Sequence, residues 1–137
     1  MSFKSQICTT EEQSNRLVAL GLKSETADMS YRILYFDLDG ILLESGHLLE
    51  TGSPLDTDDY IPAWTLHRLI EMMPTYIDVI GDEWTLNILQ GKLIAYTTDE
   101  KENFLFAQGA VSLYDSILAA IEWLIQAGHF NKEYLKE

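Results

Sequence analysis

Leu34-Tyr35-Phe36-Asp37-Leu38-Asp39-Gly40-Ile41-Leu42-Leu43-Glu44-Ser45 is the stretch on which the fold turns. Asp-Gly between apolar runs is a strong hairpin signal, because a type I′ turn needs positive φ at both of its central residues. With Asp39-Gly40 as the turn, Leu38 faces Ile41 and Phe36 faces Leu43, and Leu34 extends that apolar face. Tyr35, Asp37 and Glu44 then fall on the other, wetter side, since successive side chains of a strand point to opposite faces.

Working outward, the same pattern recurs. Trp84, Leu86 and Ile88 alternate with Thr85 and Asn87, and Gln90-Gly91 turns the chain, so that Ile88 faces Leu93 and Leu86 faces Ala95. Upstream, a Gly81-Asp82 turn sets Val79 opposite Trp84 and Ile77 opposite Leu86. A further strand is expected over 103–108. The polar, acidic stretch from Ser45 to Asp59, with Gly46, Gly52, Ser53 and Pro54, reads as a long surface loop.

Helices show at their caps. Thr10 followed at the third position by Gln13 is a capping-box signature, with Leu17 and Leu20 on one face and Gly21 closing the helix. Trp64 precedes a second helix from Thr65, where Leu66, Leu69, Ile70 and Met73 recur at helical spacing before Pro74. Ser112 and Asp115 open the third. Tyr114, Ile117, Leu118, Ile121, Leu124 and Ile125 form its apolar stripe, and Gly128 ends it. The expectation is therefore one α+β domain over 1–137, an antiparallel sheet of consecutive hairpins with about three helices on one face.

At 137 residues and 47% hydrophobic content, the chain can bury a real core. Cys8 is the one cysteine, so no internal disulfide forms. The opening residues lack the apolar core of a signal peptide, and no apolar run approaches a membrane span. The cytoplasm is the expected compartment. The net charge is −13, and between Ile33 and Gly91 eleven acids meet a single basic residue, Arg68. Such a field repels phosphate backbones and disfavours direct nucleic-acid or anionic-membrane binding, whereas a basic protein partner would be attracted.

The opening stretch also resembles the first motif of the haloacid-dehalogenase-type phosphatases, a hydrophobic strand ending in Asp-x-Asp-Gly-Thr. That resemblance implies Asp37 as nucleophile, Asp39 as general acid/base, and Mg²⁺ bridging carboxylate and phosphate. Ile41 stands where the family carries Thr. The family's phosphate-holding lysine should precede a last acidic motif, for which Gly81-Asp82-Glu83 is the candidate, yet no lysine occurs between Lys23 and Lys92. The hairpin accounts for the same residues better, and a tight antiparallel hairpin from Asp37 to Leu43 is the observation that would end the phosphatase reading.

A second resemblance runs nearly end to end. Thr10-Glu11-Glu12-Gln13 with Leu17 to Leu22, Thr26-Ala27-Asp28-Met29, Ile61-Pro62-Ala63-Trp64-Thr65-Leu66, Met73-Pro74, and Tyr114-Asp115 through Ala120-Ile121-Glu122-Trp123-Leu124-Ile125 are similar to blocks of small proteins of bacterial genomes, prophages and mobile elements. It carries no activity and no catalytic residues, and implies a phage- or mobile-element accessory role.

Other candidates are weak. His47, His67 and His129 are scattered, and His67 reads as solvent-facing. Asp56, Asp58 and Asp59 start like a calcium loop but lack its glycine at the sixth position, with Pro62 intervening. Trp64, Trp84 and Trp123 read as packing residues. No residue is assigned a catalytic, cofactor-binding or metal-binding role, and no cofactor is implied. The expectation is a small acidic, non-enzymatic interaction module that binds a protein partner or itself; the alternative is a Mg²⁺-dependent phosphatase using Asp37 and Asp39.

Overall fold

Each predicted helix start is set by a side chain that takes up a free backbone amide. At the first, α1 (Glu11–Ala19), the Thr10 hydroxyl accepts from the Gln13 amide while the Gln13 side chain accepts from Thr10, a complete capping box. Its far end closes on Gly21, at φ +105, with the Gly21 amide donating to Val18 and the Leu22 amide to Leu17. Leu17 and Leu22, brought together by that paired closure, are both fully buried.

The computed structural model describes residues 6–55, 58–79, 81–89, 93–98, 104–109 and 112–136. These carry three α-helices and two antiparallel sheets, an α+β fold. One sheet has the order β2-β1-β3, from β1 (Met29–Leu38), β2 (Ile41–Thr51) and β3 (Tyr60–Ala63); the other is the meander β4-β5-β6-β7, from β4 (Tyr76–Val79), β5 (Asp82–Leu89), β6 (Leu93–Thr97) and β7 (Phe104–Gly109). Residue contacts gather into two compact units, 1–68 with 136–137, and 69–135. The division falls inside α2 (Leu66–Met72), not in the acidic stretch after Ser45.

The first unit is organised around Trp64, which has no exposed surface. Its indole N–H donates to the Thr26 hydroxyl at 3.0 Å, and that hydroxyl donates to the Lys23 carbonyl at 2.6 Å. The Thr9 and Trp64 backbones pair, Thr9 N–H to Trp64 C=O at 2.8 Å, and Cys8 bridges to Thr65. Asp28 fixes the next turn: one oxygen accepts the Thr65 amide at 2.9 Å and the other its hydroxyl at 2.5 Å. The Thr65 hydroxyl in turn accepts the Arg68 amide. The buried indole of Trp64 and the Thr9 and Thr26 hydroxyls are thus paired, as their desolvation requires. α1 packs against β3.

In the second unit β6 is an inner strand, and Ile94, Ala95, Tyr96 and Thr97 are all buried. α3 (Leu113–Ala127) packs on β6 and β7 through the expected stripe, with Tyr114, Ile117, Leu118, Ile121 and Leu124 buried and Ile125 half-buried. Ser112 caps it by accepting the Asp115 amide, and Gly128 ends it at φ +80. Trp123 stacks on Phe106 with ring centroids 4.9 Å apart. The Tyr96 hydroxyl donates to the Pro74 carbonyl at 2.8 Å, and burial pushes that phenol far above its ordinary pKa.

Several sequence expectations are corrected. The single sheet is two, because β3 returns to pair with β1 and the meander pairs only within itself; α1 packs on β3 and α3 on β6 and β7. Pro62 lies in β3, an edge strand, where a missing N–H is tolerated. Ser45 and Gly46 do not start a loop: a bulge absorbs the extra residue and β2 continues to Thr51. Val79 pairs with Asp82 and Ile77 with Trp84, not with Trp84 and Leu86. That moves each pairing by two residues and keeps the apolar face. Ile88 pairs with Ile94 and Leu86 with Tyr96, not with Leu93 and Ala95. The expected Gln90-Gly91 turn and Asn103 lie outside the described residues, as does Asp56. Among the described residues no helix is long and apolar enough to cross a membrane.

Candidate functional site

The Asp39-Gly40 segment is a tight antiparallel hairpin. Asp39 has φ +52 and Gly40 φ +82, both left-handed as a type I′ turn demands. Leu38 pairs with Ile41, Asp37 with Leu42, Phe36 with Leu43 and Tyr35 with Glu44. The Asp37 carboxylate accepts the Gly40 amide at 2.9 Å. Both aspartates of the phosphatase-like motif therefore build the turn, and Asp37 is exposed on a strand instead of standing at a pocket mouth. A cleft of about 410 Å³ in the same unit, lined by Lys23, Ser24, Glu25, Pro54, Leu55, Tyr60, Pro62 and Lys136, includes neither of them.

What sets this hairpin apart is how much of its apolar face is exposed. β3 pairs with β1 only from Met29 to Arg32, and the last backbone link on that side among the described residues is the Ile33 amide donating to the Asp59 carbonyl. From Leu34 outward the two strands pair only with each other among the described strands. The five residues of β1 from 34 to 38 make a ribbon about 17 Å long at the usual rise per residue. Along it Phe36 is 46% exposed, Leu38 54%, Ile41 63% and Leu42 68%. Leu43 and Leu48 are exposed as well.

The ribbon has two unlike faces. Leu34, Phe36 and Leu38 of β1 share one with Ile41 and Leu43 of β2, a continuous apolar surface. The other carries Tyr35, Asp37, Leu42 and Glu44. There the Tyr35 phenol is pushed above its ordinary pKa by partial desolvation, by its hydrogen bond to Asp59, and by the charges of Asp59, Glu44 and Asp58. From Ile33 to His67 the sequence has seven acids and no lysine or arginine. Of these, Glu50 is answered by Arg32 at 2.9 Å at the ribbon's base.

His47 ties that base down. Its Nδ1 meets the Glu11 carboxylate in the first turn of α1, and its Nε2 lies 3.6 Å from Glu44. The hydrogen bond to Glu11 raises the imidazole pKa against an opposing desolvation, and Glu44 adds to the rise. The histidines do not converge. His67 is exposed, as expected, and His129 lies 5.8 Å from the Trp123 ring. Among the described residues no three His, Cys, Asp or Glu side chains gather as metal ligands. Cys8 is buried; desolvation pushes its thiol above the ordinary value despite a 3.6 Å contact with the Tyr31 hydroxyl, so thiolate chemistry is disfavoured there.

No protein family matches the chain, and no curated sequence or solved structure gives a significant match. The ribbon is the site that the geometry itself singles out. Its pairing was legible in the sequence, but its exposure was not. The one local signal is Leu42: Ile41-Leu42-Leu43 breaks the alternation and places a large apolar side chain among Tyr35, Asp37 and Glu44.

Proposed function

We propose that the protein is a docking module that binds another protein through the β1–β2 ribbon. One observation carries this reading: an ordered turn and register present Phe36, Leu38, Ile41, Leu42 and Leu43 to solvent on both faces of a two-stranded ribbon. Monomeric proteins rarely leave so many large apolar side chains contiguous and exposed unless something covers them. The turn itself does not call on them, because Asp39-Gly40 and the Asp37 cap set it by backbone chemistry. Burying Leu42 alone, already 68% exposed, would contribute about 1–2 kcal/mol to association.

The test is a pair of tagged chains, wild type and Phe36→Ser/Leu42→Ser, purified side by side from cells that naturally make the protein. A partner retained by the wild type and lost from the variant, with the same unfolding midpoint for both, supports the reading. Identical sets of retained proteins contradict it.

A further inference from the structure

The outer edge of β2, combined with the charge of the ribbon, defines what kind of partner fits. β2 is terminal in the order β2-β1-β3, so the backbone groups along its outer side have no strand partner among the described residues. It is eleven residues long. Edge strands are ordinarily shortened or guarded by lysine, proline or a bulge to prevent strand addition; Ile41–Thr51 has no lysine or proline, and residues 41–44 pair without a bulge. Its one irregularity is the bulge at the Leu34/Tyr35 step of its pairing with β1. An open edge of this kind is a template for an added strand, which gains main-chain hydrogen bonds and places alternate side chains on the two faces.

Charge selects among possible occupants. The ribbon and the turn beside it present Asp37, Asp39, Glu44 and Asp58, and the sequence from Ile33 to His67 holds no lysine or arginine. A second copy adding to β2 would bring the same acids against these, and like charges placed across strands destabilise pairing. A strand with lysine or arginine on one face and aliphatic side chains on the other meets Glu44 and Asp37 with opposite charge while covering the apolar side. We propose that the partner docks by strand addition to β2 and that its docking segment is an extended, basic, alternating apolar peptide. This rests on the ribbon being the docking site, and adds the mode and the partner chemistry.

Three synthetic peptides test it by fluorescence anisotropy against the full chain: alternating lysine and valine, alternating glutamate and valine, and the lysine peptide with two central valines replaced by proline. The lysine–valine peptide should bind, and binding should weaken roughly tenfold on raising salt from low to near-molar concentration, as screening of exposed charges dictates. The proline version should lose most of it, because it keeps the charge and cannot complete a strand ladder. Leu42→Ser should weaken binding by about fivefold or more, in line with the apolar surface it covers. Equal binding of the proline version would overturn strand addition, and equal binding of the glutamate peptide would overturn the basic partner. Failure of all three peptides would overturn the inference as well. In each of those cases ribbon-dependent partner loss in the co-purification comparison still decides the docking reading separately. Sedimentation of the chain alone completes the test: a dimer abolished by Leu42→Ser would make a second copy the occupant and overturn the basic partner.

Discussion

Gly40→Val is the sharpest perturbation of the ribbon. Gly40 sits at φ +82, and a Cβ built there meets nothing within 4 Å, so steric conflict with neighbours plays no part. The cost is in the backbone alone: a β-branched residue held in the left-handed region costs about 1–3 kcal/mol. The ribbon from Leu34 outward is paired only with itself among the described strands, so the penalty is relieved by opening the tip without unfolding the core. Amide hydrogen exchange followed by mass spectrometry should therefore show residues 35–43 exchanging roughly 5–150-fold faster, each 1.4 kcal/mol being worth about a factor of ten. The unfolding midpoint in urea should move little. Gly40→Asn should recover much of the protection, since asparagine tolerates the left-handed region better than valine. Wild-type exchange in Gly40→Val, or equal damage by Asn and Val, would refute the argument that positive φ at this residue holds the tip together.

Further expectations concern the latches of the first unit. Asp28→Ala removes both acceptors that hold the Thr65 amide and hydroxyl, and should lower the unfolding free energy by about 1.5–3 kcal/mol, with Asp28→Asn closer to wild type; unchanged urea midpoints would show that the latch contributes nothing. For His47 the folded-state pKa is raised above 6.5 by Glu11 and Glu44, so its contribution is fully present below about that pH and is lost as pH rises through the raised value. The wild type should lose stability over that window relative to His47→Gln; parallel pH profiles for the two chains would contradict the coupling.

The parts of the fold that were legible in the sequence are those decided by chemistry within a few residues. Thr10 with Gln13, Ser112 with Asp115, and Asp39-Gly40 each satisfy or shape the backbone locally, and each stands where the sequence placed it. Register across the meander was less accessible. Ile88 against Ile94 depends on how many residues the connection uses, and a change of one residue there alters every facing pair. The extension of β2 through Ser45 and Gly46 escaped for a related reason, since loop-forming residues can be absorbed by a bulge when the flanking strands pair. Exposure of Phe36, Leu38 and Ile41 could not be read at all from alternation. A strand pattern says which side chains share a face, and only the placement of other elements says whether that face is covered.

The most direct test of the docking account is photo-crosslinking from the ribbon in cells that naturally make the protein. A benzophenone amino acid replaces Leu42 in one chain and Asn15, an exposed residue of α1, in another. The account predicts a discrete protein adduct from position 42 after irradiation, absent from position 15, and reduced when Phe36→Ser is added to the position-42 chain. No adduct from position 42, or the same adducts from both positions, would contradict the claim that the ribbon is where this protein meets its partner.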